Sequence, residues 1–282
     1  METSSQVTQL TDGSVCDLIG CSLLEGLNRL QIAEAGFLES SAQLQSQNSN
    51  GSAPAGGRKK PAFFNLEIYS NVIQASLFLF ATSIFDVFLS DTTRLLLARE
   101  IGALGKSYVV PMEVLASPKA SAEIISKEIE RKVRSLSHQS FLERLYFLST
   151  VFSVHIGLSE REQGDLEDIS NLKSRIVYDR PLFAFELDDE GRRRMQVKAD
   201  ETLPVPVTSR DLSKAKRVYL ILGMRTYQAV RRDVLKLGES AEYASNLEQG
   251  LALLKLWAAD ILGPADGGPG EEEASSGKRP IA

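Results

Sequence analysis

Neither Pro nor Gly interrupts the stretch from Leu66 to Arg99, and apolar residues recur along it at helical spacing: Leu77, Phe80, Ala81, Ile84, Phe88 and Leu95. Phe78, Leu79, Phe85 and Val87 spill onto a second face. A helix apolar on most of its circumference is buried on most of it. The pattern therefore predicts a central core helix, or one shared with a second subunit. A membrane span needs about 20 apolar residues, and Thr82, Ser83, Asp86 and Asp91 break this run.

The same periodicity predicts an amphipathic helix from Ser14 to Leu38, with Ile19, Leu23, Leu27, Leu30 and Phe37 on one side. Ser40 to Pro61 is rich in Ser, Gln and Gly and reads as a flexible linker, which would leave the first helix docked, swapped or detachable. After the central helix, Ser117 followed by Pro118 marks a helix start carried on by Ile125, Ile129 and Val133. Phe141, Leu145, Leu148 and Phe152 form the stripe of the next helix. Ser159 with Glu162 reads as a capping box, opening a helix through Leu166, Ile169 and Ile176 that Pro181 stops. LFAFEL, DDEG and RRRMQVK, from Leu182, read as strand, turn and returning strand. Thr208 or Ser209 caps a long helix to Leu237 with Gly238 past its end, and Leu247, Leu251, Leu254, Ala258 and Ile261 mark the last.

The predicted fold class is all-α, a helical bundle of about seven helices with a short β-hairpin or loop excursion near residues 182–207. Its predicted segments are an N-terminal helix over 1–39, a linker over 40–61, a helical domain over 62–263 and a disordered acidic tail over 264–282.

Apolar content of 43% and charged content of 24% are those of an ordinary soluble protein. A net charge of −5 argues against a generic nucleic-acid coat and leaves a local basic site open. Cys16 and Cys21 make neither a disulfide framework nor a zinc signature and read as plain helix residues; no metal or cofactor is expected. The N-terminus lacks a basic and then apolar leader pattern, so a cytoplasmic location with no membrane partner is expected.

Signatures of the common enzyme classes are missing: there is no GxGxxG, P-loop, GxSxG or HExxH. Of the two histidines, His138 follows Arg131 and Arg134 and reads as a polar residue at a helix junction. His155, between Val154 and Ile156, reads as packed or capping. The richest stretch is ISNLKSRIVYDRPLFAF, Ile169 to Phe185, where apolar residues lie beside clustered charge.

The helix FDVFLSDTTRLLL, the helical pair after it, the helix ending NLKSRIVYD and the entry LPVPVTSRDLSKA to a long terminal helix stand in an order that resembles the HEPN superfamily. The resemblance is greatest to the group sometimes labelled RiboL-PSP-HEPN and covers roughly Phe64 to Val234. It implies a metal-independent ribonuclease fold that acts as a dimer. Active members carry a form like RNxxVH, in which His acts as acid or base on the ribose hydroxyl and Arg stabilises the phosphate.

Aligned on IV, this chain has Lys173, Ser174 and Tyr178 at the Arg, polar and His positions. Lysine lacks the guanidinium fork, and a tyrosine phenol ordinarily titrates near pH ~10 against ~6.5 for imidazole. The catalytic motif is therefore degenerate. A rival pair is Arg131 with His138.

Around the motif, Arg175, Arg180, Arg192, Arg193 and Arg194, with Lys198, form a local basic run suited to RNA phosphates. Asp188, Asp189 and Glu190 allow the alternative of a balanced, solvated helix end and turn. Asp86, Asp91 and Arg94 are candidates to support the motif from the central helix; an ion pair within that helix is the other reading. The expectation is a HEPN-like protein with a degenerate site that binds RNA or a partner protein, such as a cognate toxin or antitoxin in a defence setting, and forms a homodimer. Its alternatives are an active metal-independent endoribonuclease and a purely structural helical interaction scaffold.

Overall fold

The computed structural model describes residues 11–49, 66–105, 118–178, 183–187, 193–197 and 205–262. Seven α-helices occur among them: α1 (Asp12–Ser49), α2 (Leu66–Arg99), α3 (Pro118–Ser137), α4 (Phe141–Phe152), α5 (Glu160–Tyr178), α6 (Ser209–Ala229) and α7 (Ala241–Leu262). A 3-10 turn, Ile101–Leu104, follows α2, and a π-helical turn, Val230–Leu235, extends α6. Between α5 and α6 lies one antiparallel hairpin, β1 (Phe183–Leu187) and β2 (Arg193–Val197), with Phe185 opposite Met195. Among the described residues the fold is an all-α bundle with this one hairpin.

Helix α2 is the centre, touching α1, α3, α4, α5 and α6. Phe78, Ala81, Phe85, Phe88 and Leu89 are buried on it, and the Phe85 ring stacks on Tyr219 of α6 at 4.6 Å between centroids. Phe141 of α4 meets both rings edge-on, at 5.3 Å and 5.7 Å, in the favourable quadrupolar arrangement. Arg144 of α4 is 2% exposed and donates to the Asp86 carboxylate, to the Asp86 carbonyl oxygen at 3.1 Å and to Ser90 Oγ at 2.9 Å. The outward face differs from the predicted stripe, since Phe80 is 46% exposed, with Val72 and Val87 beside it in solvent. A helix apolar all round gives periodicity no means of choosing its inward face. Helix α2 from Ser70 to Arg99 is also long and apolar enough to cross a membrane, and 39% of that apolar window lies inside the bundle.

Helix α1 belongs to the same core. Leu23, Leu24, Leu27 and Leu30 are 2% exposed or less, and α1 packs against α2, α6 and α7. Gly26 lets it approach α2, since a Cβ there would lie 2.9 Å from Ile84 Cγ2. Two buried ion pairs, Glu34 with Lys216 and Asp17 with Arg231, fasten it to α6 and the π turn. Of the docked, swapped or detachable dispositions, the one seen within this chain is the docked one.

The predicted linker also begins too early, because α1 continues through residues 40–49. No Pro or Gly occurs there, Ala, Gln and Leu propagate an established helix, and Ser40 Oγ–H bonds the Gly36 carbonyl at 2.8 Å. Residues 50–61 of that linker and the predicted tail over 264–282 lie outside the described residues.

Capping chemistry sets the other starts. Ser140 with Glu143 and Thr208 with Asp211 form complete capping boxes at α4 and α6, and Ser159 with Glu162 makes the same reciprocal bonds at α5. At the end of α6 the reversal falls on Lys236, φ 55°, rather than on Gly238. Arg231 causes it: its carbonyl accepts the Lys236 and Leu237 N–H groups while its guanidinium donates to the Gly238 carbonyl at 2.6 Å. Helix α7 turns Asn246, Leu253 and Trp257 inward and leaves Leu251 56% exposed. Its register follows Asn246, which donates to the Asp17 carbonyl at 3.0 Å and to Tyr227 Oη at 3.3 Å.

Candidate functional site on helix α5

The residues expected to form the degenerate motif, Lys173, Ser174 and Tyr178, occupy the last turns of α5. Leu172 and Ile176 pack on the core and anchor the helix, which sets the direction of everything else on it. Lys173 is half-buried, its ammonium 5.3 Å from the centroid of the Phe141 ring, which also carries the Arg144 guanidinium at 6.0 Å. This is cation–π geometry. Ser174 and Arg175 are exposed, and Tyr178 is 75% exposed at the helix end. Five residues of α-helix rotate a side chain by about 140°. Lys173 accordingly faces Phe141 while Tyr178 faces solvent, and one chain does not bring the two together.

Arg175 leans over a cavity of about 340 Å³ between α5 and α6, whose walls include Asp168, Asn171, Pro206 and Lys214. Arg180 and Arg192 lie outside the described residues, as does Lys198. Arg193 and Arg194 are on β2, opposite Leu187 and Glu186 of β1.

The proposed supporting residues on α2 are engaged elsewhere. Asp86 holds Arg144. Arg94 donates to Asp91 at 2.6 Å and, through two nitrogens, to Glu130 of α3 at 2.7 and 3.0 Å. The Arg94 hydrogen bond is the main cause holding the Glu130 carboxyl below its usual range. The rival pair has no shared site either: Arg131 is bound to Glu128 one turn away, and His138 is exposed in the connection before α4.

His155 is neither packed nor a member of the motif. Its side chain is 80% exposed, and its backbone N–H donates to Asp233 Oδ2 at 3.0 Å, with the ring Nδ1 3.3 Å from the same oxygen. The Arg232 guanidinium, with help from His155, holds the Asp233 carboxyl well below the carboxylate range. The arrangement closes the loop after α4 onto the π turn.

Another polar cluster escaped sequence reasoning. Asp17 of α1, 8% exposed, accepts from Tyr227 Oη at 2.5 Å, from Arg231 and from Ser240 Oγ at 3.2 Å. Arg231 also lies 4.7 Å from the Tyr243 ring centroid. Burial pushes the neighbouring Cys16 thiol up to about 12, so Cys16 is an inert packing residue. Its signal in the sequence was an Asp on an otherwise apolar face of α1, which burial without a partner would penalise heavily.

In comparisons with known proteins, no family model, curated protein or solved structure matches the chain.

Proposed function

We propose that this is a HEPN-like, cytoplasmic helical protein that binds RNA through its α5 region and does not cut it. One observation carries the reading: both histidines of the chain sit on other elements, His138 before α4 and His155 against Asp233, so α5 itself carries no imidazole. What α5 does offer is a cation against an aromatic ring, exposed Arg175 above a cavity, and a solvent-facing Tyr178. Cations hold phosphates and an exposed aromatic ring stacks a base, neither of which requires proton transfer.

The test is RNA binding and RNA integrity measured on the same sample, with chelator present. Salt-sensitive binding of intact RNA supports the reading, and cleavage with chelator present favours an active nuclease instead.

A second reading concerns protein association, through a second copy or a toxin or antitoxin partner. Val72, Phe80 and Val87 favour it, being 49%, 46% and 50% exposed on one face of α2. Apolar surface of this kind is normally covered by association.

A further inference from the structure

We infer that the cleft between the first turns of α5 and α6 carries the phosphate backbone of a single-stranded RNA, with Arg161, Arg210 and Arg217 as its phosphate ligands. The inference rests on the RNA reading above and assigns to it residues that lie outside the degenerate motif.

The cleft has a volume of about 720 Å³. Its charges are unequally engaged. Lys214 bridges Asp165 at 2.7 Å and Asp168 at 2.8 Å, so one ammonium is shared between two carboxylates and offsets the charge of one of them. Asp211 is taken up by the cap of α6, accepting from the Thr208 N–H at 2.9 Å and from its hydroxyl at 2.6 Å. One turn nearer the start of α5, Glu162 serves the Ser159 cap and the Arg225 guanidinium, at 2.7 Å from its Oε1. Arg161, Arg210 and Arg217 are exposed and have no hydrogen-bond or ion-pair partner among the described residues. Three guanidinium groups without an ion-pair partner therefore line one cleft together with Lys214 and outnumber its carboxylates, Asp165 and Asp211, in a chain whose net charge is −5. Arginine forks match phosphate oxygens in a bidentate way.

The layout suits a chain of phosphates better than a single anion. Arg210 and Arg217 are seven residues apart on α6, about 10 Å along its axis and on nearly the same face. That is wider than one phosphate group. The cleft shares Asp211 and Lys214 with the cavity that Arg175 lines, so the concave surface continues along α5 towards exposed Tyr178. From Arg161 to Tyr178 is about 25 Å of helix. A groove with excess cations at one end and an exposed aromatic ring at the other has the general form of a single-strand binding surface.

The experiment uses the full chain and a fluorescein-labelled oligouridine, with affinity measured by anisotropy across a salt series. The variant R161Q/R210Q/R217Q is compared with wild type and with R29Q/R131Q/R134Q, which removes the same charge from α1 and α3. The cleft variant replaces exposed arginines without ion-pair partners, the control breaks only the surface pairs Arg29–Glu25 and Arg131–Glu128, and matching thermal melts verify that packing is intact in both. The expected result is at least a tenfold loss of affinity in the cleft variant alone. Its log affinity should also depend on log salt with a slope shallower by about 2, since each single-strand phosphate contact contributes about 0.7. Wild-type binding with an unaffected cleft variant would overturn the cleft and leave the RNA reading standing. Equal losses in both variants would reduce the effect to net charge and also overturn the cleft. No binding by wild type at low salt would overturn both.

Discussion

Asp17 shows how much a single side chain settles here. Its carboxylate is the meeting point of Tyr227, Arg231 and Ser240, and Arg231 is only 4% exposed. Asp17→Ala would leave that guanidinium buried without its counter-ion, a change that costs about 3–5 kcal/mol. Urea denaturation should show the loss, with an unchanged m-value if the unfolded state is the same. Asp233 gives a pH signature. Its folded pKa lies below the ordinary carboxylate value of about 4, chiefly through Arg232. The stability it contributes is therefore complete above that ordinary value and is lost as pH falls through the depressed one. Asp233→Asn should flatten the acid side of the stability profile, measured as denaturation midpoint against pH. At this scale the sequence was only partly legible. Lys173 and Tyr178 could be found by their order around Ile176–Val177, but their divergence depends on which face of α5 Leu172 and Ile176 bury. Arg161 could not be linked to Arg210 and Arg217 by sequence distance. The spacing of Arg210, Lys214 and Arg217 on one face of a capped helix was the available signal.

Helices pack here through close approaches as well as apolar stripes. A Cβ on Gly223 of α6 would overlap the Leu23 side chain of α1. Gly223→Val is expected to force α1 outward and to destabilise by about 1–3 kcal/mol, the usual cost of overpacking. A calorimetric scan of the variant checks it. Removing residues 1–49 is a harsher test at the same scale. It strips Leu23, Leu24, Leu27 and Leu30 from the core and leaves Lys216 without Glu34. The truncated chain should lose its cooperative unfolding transition, and a sharp transition retained after truncation would show α1 to be dispensable. The ends of α2 and the start of α3 were legible because uninterrupted apolar periodicity and a Ser-Pro step are strong local signals. The length of α1 was not, since its Ser- and Gln-rich end looks like a linker by composition. Nor was the inward face of α2 or α7, where tertiary hydrogen bonds and ion pairs chose among several apolar faces.

For the whole molecule, the outer face of α2 and the cationic side of α5 and α6 assign two separate surfaces. Val72, Phe80 and Val87 suit association, and Phe80→Asp should shift sedimentation towards the single-chain mass if that face joins two copies. The all-α class was legible because seven periodic segments and their caps agree with one another. Function was less legible, since an expected motif read through its departures specifies what is missing more than what remains. The central claim is that RNA is held and not cut, and one mixture tests it. Full-length protein and end-labelled RNA are incubated with chelator, then divided between a native gel at two salt concentrations and a denaturing gel. A salt-sensitive shift with full-length RNA recovered is the expected result. Fragments on the denaturing gel, or no shift at low salt, would contradict it.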